Sequence, residues 1–350
     1  MTESTGRQER RLAGKEVRKK VPRESMGVWA PPDDRRDPVQ ILIEQGDSRV
    51  QDLIPIRYAR MLSSEFAFYR GAAAVMASDL SYSANTHLTV QLAGDAHLSN
   101  FGGYAAPDRT FVFDVNDFDE TLPGPFEWDL KRLVASFAVA GRANGFDEAT
   151  RAKIIGRVVR TYREAVQKFS QMPRMDVWYS RLTAQDIVDE WSSKVDKSYR
   201  KSFEKQVAKA QTKTSERALQ KLTTTDAEGN ISFLSNPPFM EPFDEVVGTE
   251  DRDAYQHAAQ AALVDYRRSL ISDRRVLFSG YRVVDLARKV VGVGSVGTRC
   301  WVMLLMADHD ESDVLMLQLK EAQASVLEAY LGHSRAHHHG RRGVEGQRVM

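Results

Sequence analysis

The residues of this chain best suited to chemistry fall in two stretches. The first reads Gly94-Asp95-Ala96-His97-Leu98-Ser99-Asn100 and follows an alternating apolar run, Leu88, Val90 and Leu92, that reads as a strand. The second, Asn116-Asp117-Phe118-Asp119-Glu120, ends a β-branched and aromatic run from Thr110 to Val115. Carboxylates at the ends of neighbouring strands can converge on one point. There they repel and their pKa values rise, and a divalent cation relieves the repulsion. Mg2+ suits such a set because it takes oxygen ligands and usually keeps phosphate as a co-ligand. Turns and helix caps use the same residue types, so the pattern also fits a purely structural role.

A second cluster, Gly292-Val293-Gly294-Ser295-Val296-Gly297, is a glycine loop that lets backbone amides approach phosphates. A dinucleotide-binding turn would lead into a helix. This loop leads instead into Thr298-Arg299-Cys300-Trp301-Val302-Met303-Leu304-Leu305, which reads as a strand. A P-loop would carry Lys-Ser/Thr after the last glycine, and Thr298-Arg299 does not supply it. A hairpin carrying the glycines fits better. The next strand, Leu315 to Lys320, ends in a lysine, with Glu328 on the following helix and the nearer Glu321 as candidate partners. An ordinary hairpin with a surface lysine is the competing reading.

An Asp followed five residues later by an Asn resembles the catalytic loop of protein kinases. Asp117 before Phe118 resembles their metal-binding Asp-Phe-Gly, with Asp119 in place of the glycine. With His97 two residues after Asp95, the loop is similar to the Gly-Asp-x-His-x-x-Asn of aminoglycoside and choline phosphotransferases. That resemblance implies Asp95 and His97 as catalytic residues and Asn100 and Asp117 as Mg2+ ligands. It also implies that Asp129 caps its helix and braces the catalytic loop. Gly292, Gly294, Ser295 and Gly297 would cover the phosphates of ATP, and Lys320 would anchor them. The order is reversed relative to a kinase, which presents glycine loop and lysine first. Circular permutation accounts for that where termini lie close together at the surface. Gly-Asp-x-His also opens the metallophosphoesterase signature, but the Gly-Asp-x-x-Asp and Gly-Asn-His-Asp/Glu that must follow are absent.

More widely, the chain resembles the bacterial domain-of-unknown-function family 2252. The matching stretches are Arg57-Tyr58-Ala59-Arg60-Met61, Phe66 to Ala72, Gly94 to Gly102, Asp114 to Glu120, Val290 to Arg299 and Gln318 to Ala322. The resemblance covers roughly residues 40 to 350. Ser64-Glu65-Phe66 stands where the family has Ser-Pro-Phe. Members run on past a Glu-Gly-Gln-Arg segment, here Glu345 to Arg348, which implies further strands of the small lobe after Met350. The resemblance implies a kinase-like fold and no established activity.

The elements that must position these residues follow from periodicity. Residues 1–25 hold eight basic and four acidic side chains and read as a disordered basic arm, followed by a proline-rich linker to residue 38. Trp128 to Val139 carries Leu130, Leu133, Val134 and Phe137 on one helical face and ends at Asn144-Gly145. Asp147 is placed to cap the next helix, and a polar helical stretch runs from Thr183 to Leu222. Strands are expected over Tyr281–Val291, Arg299–Met306 and Val314–Leu319, with a helix over Glu321–Leu331. The organisation expected is an α+β chain, and the resemblance implies that it is kinase-like and circularly permuted. Residues 39–280 form a helical catalytic lobe and 281–350 a small β-rich nucleotide-binding lobe that is C-terminally incomplete.

Composition sets outer bounds. The 350 residues carry 49 Lys plus Arg against 48 Asp plus Glu, a net charge of +1, so nothing demands a nucleic-acid or membrane partner. The only cysteine, Cys300, excludes an intrachain disulfide and fits a reducing cytoplasm. No apolar run is long enough to span a bilayer. Basic residues recur every fourth position from Lys197 through Lys201, Lys205, Lys209, Lys213 and Arg217 to Lys221. On a helix they wind round the surface as a solvated face rather than forming one stripe. Arg57, Arg60 and Arg70 could grip a phosphate or pair with Asp117 or Glu127, and His337-His338-His339 lies in a polar tail. The reading that joins these features is an ATP- and Mg2+-dependent phosphotransferase of unknown acceptor. An inactive nucleotide-binding module and a nucleotidyl transferase to protein are the alternatives.

Overall fold

The computed structural model describes residues 6–191, 197–211, 215–247, 252–310 and 312–350, and has a mixed α and β architecture. It divides into two compact units: Met1–Ser48 with Pro55–Lys194 and Ala322–Met350, and Arg49–Ile54 with Val195–Glu321. The two units divide between residues 48 and 49, 54 and 55, 194 and 195, and 321 and 322. The helices before the strands belong with them, and the C-terminal residues return to the first unit.

The first unit opens with α1 (Arg7–Lys20), a helix with no buried residue where a disordered arm was expected. Next come α2 (Pro38–Glu44), α3 (Ile54–Met61), α4 (Glu65–Gly71) and α5 (Ala73–Ser81). Local signals fix their starts. Asp37 accepts from the Val39 amide ahead of Pro38, and Ser64 accepts from the Ala67 amide. Strands β1 (Thr89–Leu92), β2 (Phe101–Ala105), β3 (Phe111–Val115) and β4 (Leu122–Pro125) then form two antiparallel pairs. In β1–β4, Leu92 lies opposite Leu122; in β2–β3, Phe101 lies opposite Val115.

Helix α6 (Glu127–Ala143) stops at Asn144, followed by Gly145 at φ +74°, a backbone conformation that suits glycine. Helix α7 (Glu148–Phe169) starts at Asp147, which accepts from the Thr150 amide at 2.6 Å. The short α8 (Arg174–Trp178) and α9 (Ala184–Trp191) follow. The core that holds β1 and β4 packs Ala77, Leu80, Leu92, Leu122, Trp128 and Leu327.

The second unit contains α10 (Lys197–Gln211), α11 (Ser215–Leu222), β5 (Thr223–Thr225), β6 (Ile231–Phe233), β7 (Met240–Pro242), α12 (Phe243–Val246), α13 (Arg252–Ser269) and α14 (Ser272–Ser279). Strands β8 (Tyr281–Lys289), β9 (Cys300–Ala307) and β10 (Val314–Lys320) complete it. Its sheet is antiparallel throughout, in the order β10-β9-β8-β7. Both faces are covered. Leu304 packs with Phe233, Met240, Ala287 and Val302 on one side, while Met303 and Leu305 pack with Phe278 on the other. This accounts for β9 being an unbroken apolar run instead of an alternating one. Lys197, Lys201, Lys205, Arg217 and Lys221 are exposed, as a solvated helical face requires; Lys213 lies outside the described residues.

The chain then returns to the first unit as α15 (Glu328–Leu331) and α16 (His339–Val349). The expected helix over Glu321–Leu331 is reduced to its last four residues. Ser325 and Glu328 form a reciprocal box: the Leu327 amide donates to Ser325 Oγ, and the Ser325 amide donates to Glu328 Oε1. That pair starts the helix late. His338 caps α16 by accepting from the Arg341 amide at 3.1 Å, so this member of the histidine tract has a local structural use.

Leu304 is fully buried at the centre of the sheet. Leu304→Ala is expected to lower the stability of the second unit by about 3 kcal/mol, the usual scale for a large-to-small core change. Urea denaturation followed by a probe in that unit measures it; a change under about 1 kcal/mol would mean the site repacks freely.

Candidate functional site

The segment from Gly94 to Asn100 is shaped first by its backbone. Gly94 leaves β1 at φ +83°, and a Cβ there would lie 2.1 Å from the Glu120 carbonyl oxygen. Only glycine permits that approach. The amides of Ala93 and Gly94 both donate to the Asp129 carboxylate, at 2.7 and 2.9 Å. Asp129 therefore braces the loop. It does not cap its own helix, because α6 has no side-chain cap and Asp129 sits inside its first turn with both oxygens turned to the loop.

Beyond Gly94 the loop closes on itself. The His97 amide and the Asn100 side-chain amide both donate to the Asp95 carbonyl, each at 2.9 Å. The Asn100 amide donates to the His97 carbonyl, and the Asn116 amide donates to the Asn100 carbonyl at 3.0 Å. Asp95, His97 and Asn100 are thereby held in one turn, and the end of β3 that leads to Asp117 is joined to it. Asp117 Oδ1 accepts from the Asp119 amide at 3.1 Å.

The electrostatics centre on Asp95. Its Oδ1 accepts from Nε and Nη2 of Arg132, the first at 2.5 Å. Arg132 is 2% exposed, stacks over the Tyr69 ring at 4.5 Å from its centroid, and donates to the Tyr69 carbonyl. The Tyr69 hydroxyl in turn donates to the Arg132 carbonyl at 2.7 Å, and burial pushes its pKa up to about 12. Asp95 keeps 19% of its side-chain surface open, so an outside group can still reach it. Burial raises the pKa of Asp95; Arg132 and Arg70 oppose the rise, and Asp119 adds to it.

His97 Nδ1 accepts from the Ser99 amide, which places the ring proton on Nε2, 3.7 Å from Asp95 Oδ2. Burial and the charges of Arg132 and Arg70 hold its pKa down at about 3, so His97 is neutral at physiological pH. Burial raises Glu120 to about 7 and Asp129 to about 6, in each case with the Asp95 charge contributing. The mutual influence of Asp95, Asp119, Glu120 and Asp129 identifies one acidic neighbourhood.

Several expected partners are elsewhere. Arg57 is fully buried and donates to Gln45 Oε1 and the Gly71 carbonyl. Glu127 accepts from the Thr86 amide. Glu328 faces Arg342 and His333 and accepts from the Ser325 and Ser334 amides, while Glu321 pairs with Arg299. Glu328 is thus engaged within its own unit.

In the second unit, the loop from Gly292 to Gly297 joins β8 to β9 as a hairpin, with Gly292 at φ +65° and Gly297 at φ +89°. Arg49 and the Val50 amide donate to the carbonyls of Val296 and Gly297. Lys320 ends β10 opposite Cys300, the first residue of β9, so lysine and glycine hairpin occupy the same end of one sheet. Asp95, His97, Asn100 and Asp117 belong to the first unit, and Gly292, Gly294, Ser295, Gly297 and Lys320 to the second.

The profile of the family described as "Uncharacterized protein conserved in bacteria (DUF2252)" matches residues 49–350. The chain belongs to that family. No curated protein and no solved structure matches it. Among the described residues of this DUF2252 member, no helix is long and apolar enough to cross a membrane. Nor do three or more His, Cys, Asp or Glu side chains come together as a metal-binding group among them.

Sequence reasoning passed over Arg132 because it falls on the polar side of the apolar pattern in α6. Its signal was an arginine three residues after the bracing Asp129, one helical turn along the same face.

Two measurements follow. Arg132→Met leaves Asp95 buried without its cation and is expected to lower stability by about 3–5 kcal/mol. Adding Asp95→Asn should recover part of that loss; strict additivity in the double-mutant cycle would mean the two do not interact. The pH dependence has two opposed parts. Glu120, raised to about 7, stabilises fully below its unfolded value near 4.5 and loses that contribution as pH rises through about 7. His97, held at about 3, stabilises fully above 6.5 and loses that contribution as pH falls toward about 3. Glu120→Gln should therefore flatten the decline in stability between about pH 5 and 7, by up to about 1.4 kcal/mol per pH unit. An unchanged slope in thermal melts across that range would assign the proton elsewhere.

Proposed function

We propose that this DUF2252 member is a kinase-like, ATP- and Mg2+-dependent phosphotransferase with a permuted order of parts. The observation that carries the reading is the closed turn in which the Asn100 side chain donates to the Asp95 carbonyl while β3 is tied to the Asn100 carbonyl. It sets an aspartate, a neutral histidine and an amide beside the end of β3, from which the chain runs on to Asp117. The glycine hairpin with Lys320 at the same sheet end supports the nucleotide half of the reading.

The donor set fits a hard cation. Asn100 Nδ2 is committed to Asp95, which leaves Oδ1 as the acceptor, and Asp117 adds a carboxylate. With one amide and one carboxylate from the protein, the remaining ligands would be phosphate oxygens and water, the usual company of Mg2+. When bound, the cation supplies charge neutralisation for the transferring phosphoryl group. Asp95 orients the acceptor hydroxyl through its open edge, and the Arg132 guanidinium opposes the rise in pKa that burial causes there. His97 is neutral, with its Nε2–H 3.7 Å from Asp95 Oδ2. Lys320 and the amides of Gly292, Gly294, Ser295 and Gly297 bind phosphate oxygens. Catalysis of this type is mostly positioning and electrostatics.

A second reading is a nucleotide-binding module without turnover, favoured by the commitment of Asp95 Oδ1 to Arg132. Calorimetric titration with ATP, with and without Mg2+, separates the readings from no function at all. The phosphotransferase reading expects Mg2+-dependent binding that Asp117→Ala weakens at least tenfold and Lys320→Ala weakens as well. Metal-independent binding that ignores Asp117→Ala supports the module. Labelled ATP then distinguishes phosphoryl from nucleotidyl transfer by which part of the label reaches product.

A further inference from the structure

We propose that Arg342 is a positioning residue of this site, the point from which α16 fixes the loop carrying Asp117 and Asp119; the inference rests on the phosphotransferase reading. Three consecutive carbonyls of that loop accept hydrogen bonds from the C-terminal segment. Arg342 Nη2 donates to Asp119, Ser325 Oγ to Glu120, and Arg342 Nη1 to Thr121, each at 2.8 Å. Arg342 Nη2 also donates to the Gln323 carbonyl at 2.8 Å, so one guanidinium spans the loop and the strand of chain beside it.

The surroundings are built for this contact. Arg342 is 4% exposed, and Glu328 Oε1 lies 3.7 Å from its Nε to balance the buried charge. The Val326 amide donates to the Glu120 carboxylate at 2.7 Å. One turn along α16, a Cβ at Gly346 would lie 2.4 to 3.0 Å from the Thr121 side chain, so glycine is what lets the helix approach. Thr121 is fully buried; its hydroxyl donates to the Leu92 carbonyl at 2.6 Å and accepts from Gln91. The same clasp thereby reaches β1, from whose end the Asp95 turn departs.

A helix held only by packing would use apolar side chains here. Burying a guanidinium is costly and is repaid chiefly in fixed geometry. Its rigid planar fork holds several carbonyls in fixed directions, whereas lysine's ammonium is a rotatable point charge on a flexible stem. The loop so held places Asp117 and Asp119 relative to Asn100.

The test is Mg2+ titration of ATP binding to the full chain, with amide hydrogen exchange of residues 117–121 as a second readout. In Arg342→Lys the Mg2+ midpoint is expected to rise about tenfold while ATP affinity without Mg2+ stays within twofold. Exchange should accelerate in residues 117–121 and not in β2 or α7. Ser325→Ala, which removes one of the three carbonyl bonds, should shift the midpoint in the same direction by a smaller factor, and it keeps the test decisive if Arg342→Lys folds poorly. A uniform rise in exchange across the first unit, or an unchanged Mg2+ midpoint in both variants, overturns the positioning role. Wild-type protein that shows no Mg2+-dependent ATP binding refutes the phosphotransferase reading itself, and does so before any variant is compared.

Discussion

A carboxylate placed in a mostly dry turn must meet a cation, and in this protein the pairing of Asp95 with Arg132 is the constraint around which the first unit is arranged. Arg132 can serve because α6 is anchored at both ends of the contact. Its Asp129, one turn earlier, holds the amides of the loop, and Tyr69 of α4 stacks on the guanidinium and bonds to its backbone. Charge, hydrogen bonding and ring stacking act on one side chain that is itself almost inaccessible. The result is an Asp95 fixed in direction, with one edge left open.

Around that pair the polar groups form a connected system. Asn100 and His97 close the turn on the Asp95 carbonyl, and Asp129 braces its entry. Arg342 and Ser325 secure the neighbouring acidic loop through its carbonyls. Buried networks of this kind contribute little net stability compared with apolar packing, but each member left unsatisfied is expensive, so they specify one geometry strongly. That is the property a site needs if it acts by placing charges rather than by forming bonds.

The second unit solves a different problem with the same economy of parts. Its sheet buries both faces, which makes β9 a rigid apolar rod between β8 and β10. A rod of that kind fixes what hangs from its end: the glycine hairpin before Cys300 and Lys320 directly opposite it. The left-handed backbone at Gly292 and Gly297 shapes the hairpin, and Arg49 with Val50 takes up two of its carbonyls.

Much of this was legible in the chain itself. Alternation marked β1, a β-branched and aromatic run marked β3, the 3.6-residue period marked α6 and α7, and Asn144-Gly145 with Asp147 marked the break between those helices. These are local signals, set by backbone sterics and by side chains that bond to amides a few residues away. The short spacing from Asp95 to Asn100 likewise determined that both would share a turn. Pairing across long sequence separation was not legible. Nothing near Arg132 distinguishes it from Lys131 as the partner of Asp95, and nothing near Arg342 announces two carbonyls more than two hundred residues earlier or Gln323 beside it. Glu328 looked free to meet Lys320 until the fold gave it Arg342 and a helix start to hold. Sequence by itself settled which residues could carry the chemistry; tertiary structure alone decided which charges face one another, because a buried ion finds its partner by proximity in space and leaves no period or spacing behind.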